Sequence, residues 1–126
     1  MLPTFDVPPV GPKQAKVWGT TQLVFAHYGI ECHLINFKKG FRCSKHRHQH
    51  KWNRFLVLEG KLRVDIHQDD EYSLDSTTIE KGQVTDVPPL TWHRFVGIED
   101  GWALEIYWTV LDARDIDRID VGGPVP

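Results

Sequence analysis

Short apolar runs, rich in β-branched and aromatic residues and each cut off by glycine or proline, recur along almost the whole chain. They are "TTQLVFAHY" (20–28), "ECHLINF" (31–37), "NRFLVLE" (53–59), "KLRVDIH" (61–67), "YSLDSTTI" (72–79), "QVTDVP" (83–88), "WHRFVGI" (92–98) and "WALEIYWTV" (102–110). Such runs read as strands, because branched and aromatic side chains fit a pleated surface. Alternation is strict in 61–67, where Leu62, Val64 and Ile66 oppose Lys61, Arg63, Asp65 and His67. Breaks fall at Gly29, Gly40, Gly60, Gly82, Pro88-Pro89 and Gly101. Many short strands at this spacing predict an all-β antiparallel sandwich or barrel. No stretch reads as a helix of more than about two turns. "LDARDIDRI" (111–119) is expected to form at most one turn, capped by Asp112 or Asp115.

The 126 residues suit one domain. The proline-rich start reads as an extended arm over 1–15, the barrel as 16–119 and "DVGGPVP" as a tail over 120–126. A balance of 15 basic against 17 acidic residues argues against a dedicated nucleic-acid binder. No apolar run approaches the roughly 18 residues of a membrane span, and no signal peptide opens the chain, so the expected location is cytoplasmic. In that setting the two cysteines, Cys32 and Cys43, are expected as buried free thiols rather than a cross-strand pair.

Three histidines at alternate positions, His46, His48 and His50, stand out in "FRCSKHRHQHKW" (41–52). On a strand, His46 and His48 face the same way roughly 6.5–7 Å apart, and two imidazoles so placed can converge on one ion. His93, which follows the proline turn of "PPLTWHRF", is the natural third ligand. His48 and His50 satisfy the same alternation, and a histidine-rich strand can also be plain surface.

The spacing resembles that of the cupin family. Gly40, five residues, His46-x-His48, four residues, Asn53, six residues and Gly60 match the first cupin motif, with Asn53 where the family has glutamate. Gly82, Pro88 and His93 match the second, with Leu90 and Gly97 in place of its glycine and asparagine. The resemblance implies a double-stranded β-helix, or jelly-roll barrel. It also implies a divalent transition metal (Zn, Mn, Fe or Ni) on His46, His48 and His93, with Asn53 as a weak fourth ligand. Asparagine supplies no negative charge, so the ion would bind less tightly and act as a stronger Lewis acid. A site that has lost its metal is the other reading of Asn53.

Further pieces are similar to the C-terminal isomerase domain of type II phosphomannose isomerase/mannose-1-phosphate guanylyltransferase. They are "KVWG" (16–19), "GFRCSKHRHQHK" (40–51), "ALEIYW" (103–108) and "ARDIDRIDVGG" (113–123). This implies aldose–ketose isomerisation of a sugar phosphate, which needs a base and cations for the phosphate. Glu105 is the candidate base, with Lys51 as a second candidate catalytic group. Arg42, Lys45, Arg54 and Arg118 are the candidate phosphate-binding residues, and Arg47 and Arg94 add to the positive charge. Two rivals stay open: a three-histidine iron dioxygenase, and a non-catalytic sugar-binding or assembly module. A homodimer is expected in each case.

Overall fold

The computed structural model describes residues 1–2, 11–67, 74–109, 117–118 and 121–125. The described residues contain seven strands: β1 (Gln14–Lys16), β2 (Gly19–His27), β3 (Ile30–Phe37), β4 (Trp52–His67), β5 (Leu74–Glu80), β6 (Val84–Val87) and β7 (Trp92–Trp108). Every pairing is antiparallel, and the hydrogen-bonded path runs β1-β2-β3-β7-β4-β5 with β6 on β4. The architecture is the expected all-β jelly roll.

Two glycines that the sequence presents as breaks are bends inside strands. Runs 53–59 and 61–67 form the single strand β4, and run 92–98 together with residues 102–108 forms most of β7. Gly60, at φ +84°, lies against Gly101 at the bend. A Cβ on Gly60 would sit 2.3 Å from the Asp100 carbonyl oxygen, and one on Gly101 1.9 Å from that of Glu59. Only glycine admits that approach. Beyond the bend both strands change partners. The first half of β4 pairs with the second half of β7 and with β6; the second half of β4 pairs with the first half of β7 and with β5. One continuous ladder therefore folds into two facing sheets.

The histidine-rich stretch is not a regular strand. It lies along β7 through single bridges, Arg42 to Val96 and His46 to His93. Strand β1 spans the boundary at residue 15 and pairs with the start of β2. The helical turn expected at 111–119 lies mostly outside the described residues.

The interior changes character one pleat along each strand. Asn53 is followed inward by Phe55 and Val57, His93 by Phe95, and Glu105 is preceded by Ala103; all are buried. Phe95 bridges the sheets, edge-on to Trp18 (centroids 4.8 Å apart) and tilted against Phe55 (5.9 Å). Each fully buried aromatic contributes on the order of 2–3 kcal/mol. The apolar floor thus holds the polar end of the barrel in place. Cys32 and Cys43 are free, Cys43 buried and Cys32 partly so.

Candidate metal centre

At the polar end, His46, His48 and His93 bring one ring nitrogen each to within 4.8 Å of one another. Their ring centroids are 4.6–5.5 Å apart. The backbone of the 41–51 segment is pinned to β7 by His46 N–H to the His93 carbonyl (3.0 Å) and the reciprocal bond (2.9 Å). The Leu90 amide adds a bond to the His48 carbonyl at 2.7 Å. Leu90 sits at φ +62°, the conformation that the family's glycine would take without strain. Gly97 has a different cause: a Cβ there would lie 2.2 Å from the Lys38 carbonyl oxygen, so no asparagine fits. His50 is exposed and outside the cluster, so His46, and not His50, is the residue grouped with His48.

The donor set suits a metal. His46 Nδ1 lies 2.8 Å from the Ser44 carbonyl and His93 Nδ1 2.8 Å from the Thr91 carbonyl. Each carbonyl accepts the Nδ1 proton and so makes Nε2 the lone-pair nitrogen, the usual outer arrangement of a metal-bound imidazole, although Asn53 Nδ2 stands 3.4 Å from that of His93. His48 Nε2 is buried without a hydrogen-bond partner. Such a nitrogen is costly unless something binds it. Burial lowers the pKa of His93 to about 4, helped by the neighbouring His46 and His48 and opposed by the Thr91 carbonyl. His48 is lowered too, by burial and then by His46 and Lys51. Neutral imidazoles are the form that ligates.

Asn53 is fully buried beside the cluster. Its Nδ2 lies 3.4 Å from His93 Nε2 and 3.4 Å from Glu105 Oε2, while its Oδ1 has no partner. In this orientation the amide presents a donor to the cluster; exchanging the two amide atoms would present the oxygen that a fourth ligand requires. Glu105 is 8% exposed and hydrogen-bonds the Tyr107 hydroxyl. The family's carboxylate is absent from β4, but the adjacent strand carries one a single side chain further away. Burial pushes the Glu105 carboxyl up, against the Tyr107 and Asn53 hydrogen bonds that pull it down.

Tyr107 was not singled out from the sequence. Its ring touches those of His48 (5.1 Å) and His33 (5.6 Å), and burial raises its hydroxyl, followed by the Glu105 charge. The signal was there: Glu105 and Tyr107 are two apart on one strand and so share a face. His46, Glu105 and Tyr107 line a cavity of about 920 Å³ together with Glu31, His33 and Lys16.

The candidate phosphate-binding cations lie elsewhere. Arg54 is on the outer face of β4 in a bidentate pair with Asp86 (2.7 and 2.8 Å), and Arg94 reaches Asp65 on the outer face of the other sheet. Arg47 covers the Trp92 ring. Arg42, Lys45 and Arg118 are exposed, and none of them lines the cavity. Lys51 stands nearer, with its ammonium 5.0 Å from the Tyr107 ring centre.

Comparison with known proteins agrees with this architecture. Residues 33–110 match the model of the Cupin domain family, and the chain belongs to that family. No curated protein matches it. Among solved structures, KdgF from Halomonas sp. is 16% identical with a TM-score of 0.67, over 79% of this chain and 89% of that one. An RmlC-like cupin from Shewanella frigidimarina is 21% identical with a TM-score of 0.66, over 83% and 86%. The Bacillus subtilis oxalate decarboxylase, described with Mn(II) centres, is 14% identical with a TM-score of 0.67, over 78% of this chain and 27% of that one. At these identities the likeness is one of fold. No helix among the described residues is long and apolar enough to cross a membrane.

Proposed function

We propose that the protein is a metal-dependent enzyme that moves a proton between neighbouring carbons of a small, uncharged hydroxy-carbonyl compound of the sugar type. The observation that carries this reading is Glu105, a buried carboxyl that shares a cavity with His46 and lies one asparagine from the histidine cluster. A divalent transition metal on His46, His48 and His93, with Asn53 as a possible fourth donor, would supply Lewis acidity towards a ligand oxygen. Glu105 would take the proton from the hydroxyl-bearing carbon beside the carbonyl, giving an enediol, and return it to the former carbonyl carbon, while the hydroxyl proton passes to the former carbonyl oxygen, so that an aldose and a ketose interconvert. A carboxyl raised by burial is well matched to that task near neutral pH. Tyr107 would steer the carboxylate through its hydroxyl, and Lys51 would stand at the rim.

The resemblance to a sugar-phosphate isomerase supports the reaction class. The cavity supports a substrate without the phosphate, because Lys16 is the one cationic side chain among its described lining residues, against Glu31 and Glu105. The test is deuterium wash-in at C2 of neutral sugars and their phosphates, followed by NMR on protein reloaded with Zn, Mn, Fe or Ni. Exchange that falls at least 100-fold in Glu105→Gln, with metal content unchanged, supports the reading. Undiminished exchange in that variant removes Glu105 from the role.

A second reading rests on the three-histidine cluster, which contains no carboxylate. Three neutral ligands suit iron and oxygen chemistry. Oxygen uptake by the iron-loaded protein, with no carbon-bound exchange, would select it.

A further inference from the structure

Arg94 follows His93 in the chain but lies on the outer face of the sheet made by β5, the second half of β4 and the first half of β7. Directly paired residues on neighbouring strands share a side, so the register lays that face out in rows. One row is Ser76, Asp65 and Arg94; the next is Leu74, His67 and Trp92. The 41–51 segment borders β7 and brings two further cations. The Arg47 guanidinium lies 4.8 Å from the Trp92 ring centre, and Lys45 stands close enough to His67 to disfavour its charged form.

Asp65 is wholly buried although it belongs to an outer face. Its carboxylate accepts two bonds from Arg63 (2.8 and 3.2 Å), one from the Ser76 hydroxyl (2.7 Å) and a longer one from Arg94 Nε (3.4 Å). It is thereby saturated, and it fixes both guanidiniums in place. Among the described residues Arg94 gives it only Nε, which leaves the two terminal nitrogens to donate elsewhere. His67 is 8% exposed, and neither of its ring nitrogens has a partner. An imidazole so buried and unpaired is costly unless something binds it. Burial lowers its pKa, and Lys45 and then Arg94 add to that, against Asp65. Cations therefore gather at this ring, while the one carboxylate of the two rows is already engaged.

We propose that this face holds an oxyanion of the phosphate class, either free phosphate or a phosphate monoester, which accepts hydrogen bonds from His67, Arg94 and Lys45. The donors come from three separate stretches of chain rather than from one guanidinium fork. That suits a tetrahedral anion with three or more acceptor oxygens better than a planar carboxylate, which a single fork satisfies. The excess of positive charge favours a dianion over a monoanion and repels a metal ion. None of the three residues lines the cavity of the proposed reaction, so the site stands apart from that chemistry.

Calorimetric titration of inorganic phosphate and of glycerol phosphate into the full chain tests it, at about physiological salt so that diffuse attraction is screened. Each titration is run on protein as purified and again after a chelator has removed any metal. Binding is expected in both states. His67→Gln and Lys45→Ala should each weaken it by about tenfold or more, as loss of a charge-assisted or buried donor implies. Lys45 is exposed, so the second variant guards against a folding failure in the first. Arg54→Gln, on the outer face of the other sheet, should leave the affinity unchanged. Similar affinity for the two probes assigns the site to free phosphate, and a clear preference for glycerol phosphate assigns it to a monoester. Absence of binding by both probes overturns the proposal. So does binding that both substitutions leave intact, or binding that chelation abolishes while circular dichroism is unchanged, since the anion would then sit on the metal.

Discussion

Replacing Gly97 by alanine tests how the segment that carries His46 and His48 is held against β7. Its backbone is not in the left-handed region, so alanine meets no conformational penalty there. The new methyl would, however, lie 2.2 Å from the Lys38 carbonyl oxygen and 2.8 Å from its carbon. Relief requires the Lys38–Phe41 turn to retreat by about 1 Å to reach ordinary contact distance. That turn is fixed on all sides. Phe41 N–H donates to the Lys38 carbonyl (3.2 Å), Lys38 N–H to Trp18 (3.0 Å), Gly97 N–H to Phe41 (2.9 Å) and Gly40 N–H to Gly97 (2.9 Å). Losing two or three of these bonds, at about 1 kcal/mol each and with some strain added, gives a destabilisation of about 2–4 kcal/mol. Gly40→Ala is the control. A Cβ there meets nothing, but φ is +82°, so only the conformational cost of about 1 kcal/mol applies. Urea unfolding of the three proteins with a shared m-value reads both numbers. Because the turn leads directly to His46 and His48, competition with a chelator should also show weaker metal binding in Gly97→Ala. A variant no less stable than Gly40→Ala would refute the reasoning, since the clash would then relax at no cost.

Leu90→Gly should raise the melting temperature by about 2–5 °C. Relief of a left-handed leucine, about 1–2 kcal/mol, exceeds the chain entropy that glycine adds, and the side chain is 57% exposed. Asn53→Glu should tighten metal binding in a chelator titration while lowering the melting point of metal-free protein, because the new carboxylate would sit against Glu105. Metal-free protein should lose stability between about pH 6.5 and pH 4. The folded pKa of His93, about 4, lies below the unfolded value of about 6.5, so the unfolded chain binds more protons in that window and stability falls as pH falls. Glu105 acts in the opposite sense, so the histidine's share, on the order of 3 kcal/mol, is the part of the slope missing in His93→Gln.

The strands and the histidine cluster could be read from the chain because their signals are local. Alternation over 61–67 marks a half-buried strand, and motif spacing marks His46, His48 and His93. What could not be read depends on distant neighbours. Gly60 and Gly101 look like chain breaks until each is seen against the other's backbone. Leu90 and Gly97 look like decay of a motif, yet one takes the glycine's backbone geometry and the other avoids the Lys38 carbonyl. The arginines of the strands were grouped by sequence proximity to the histidines, whereas pleat alternation sends Arg54 and Arg94 to the outer faces. Glu105 was noticed as an isolated carboxylate. Its neighbour Asn53 enters only through β4–β7 pairing, which joins residues 52 apart in sequence.

The shared ladder of β4 and β7 also bears on how the chain reaches this state. Because both strands run through both sheets, neither sheet can assemble alone and wait for the other. Strand β7 must find β3 as well, pairing Ile30 with Trp108 across most of the described chain. Loops that long close slowly, so folding belongs in the millisecond-to-second range rather than the microsecond range of helical bundles. His93 reaches His46 and Ile66 only when β7 has docked. The ligand set is therefore completed late, and a fragment that stops short of β7 would retain the HxH pair without a site.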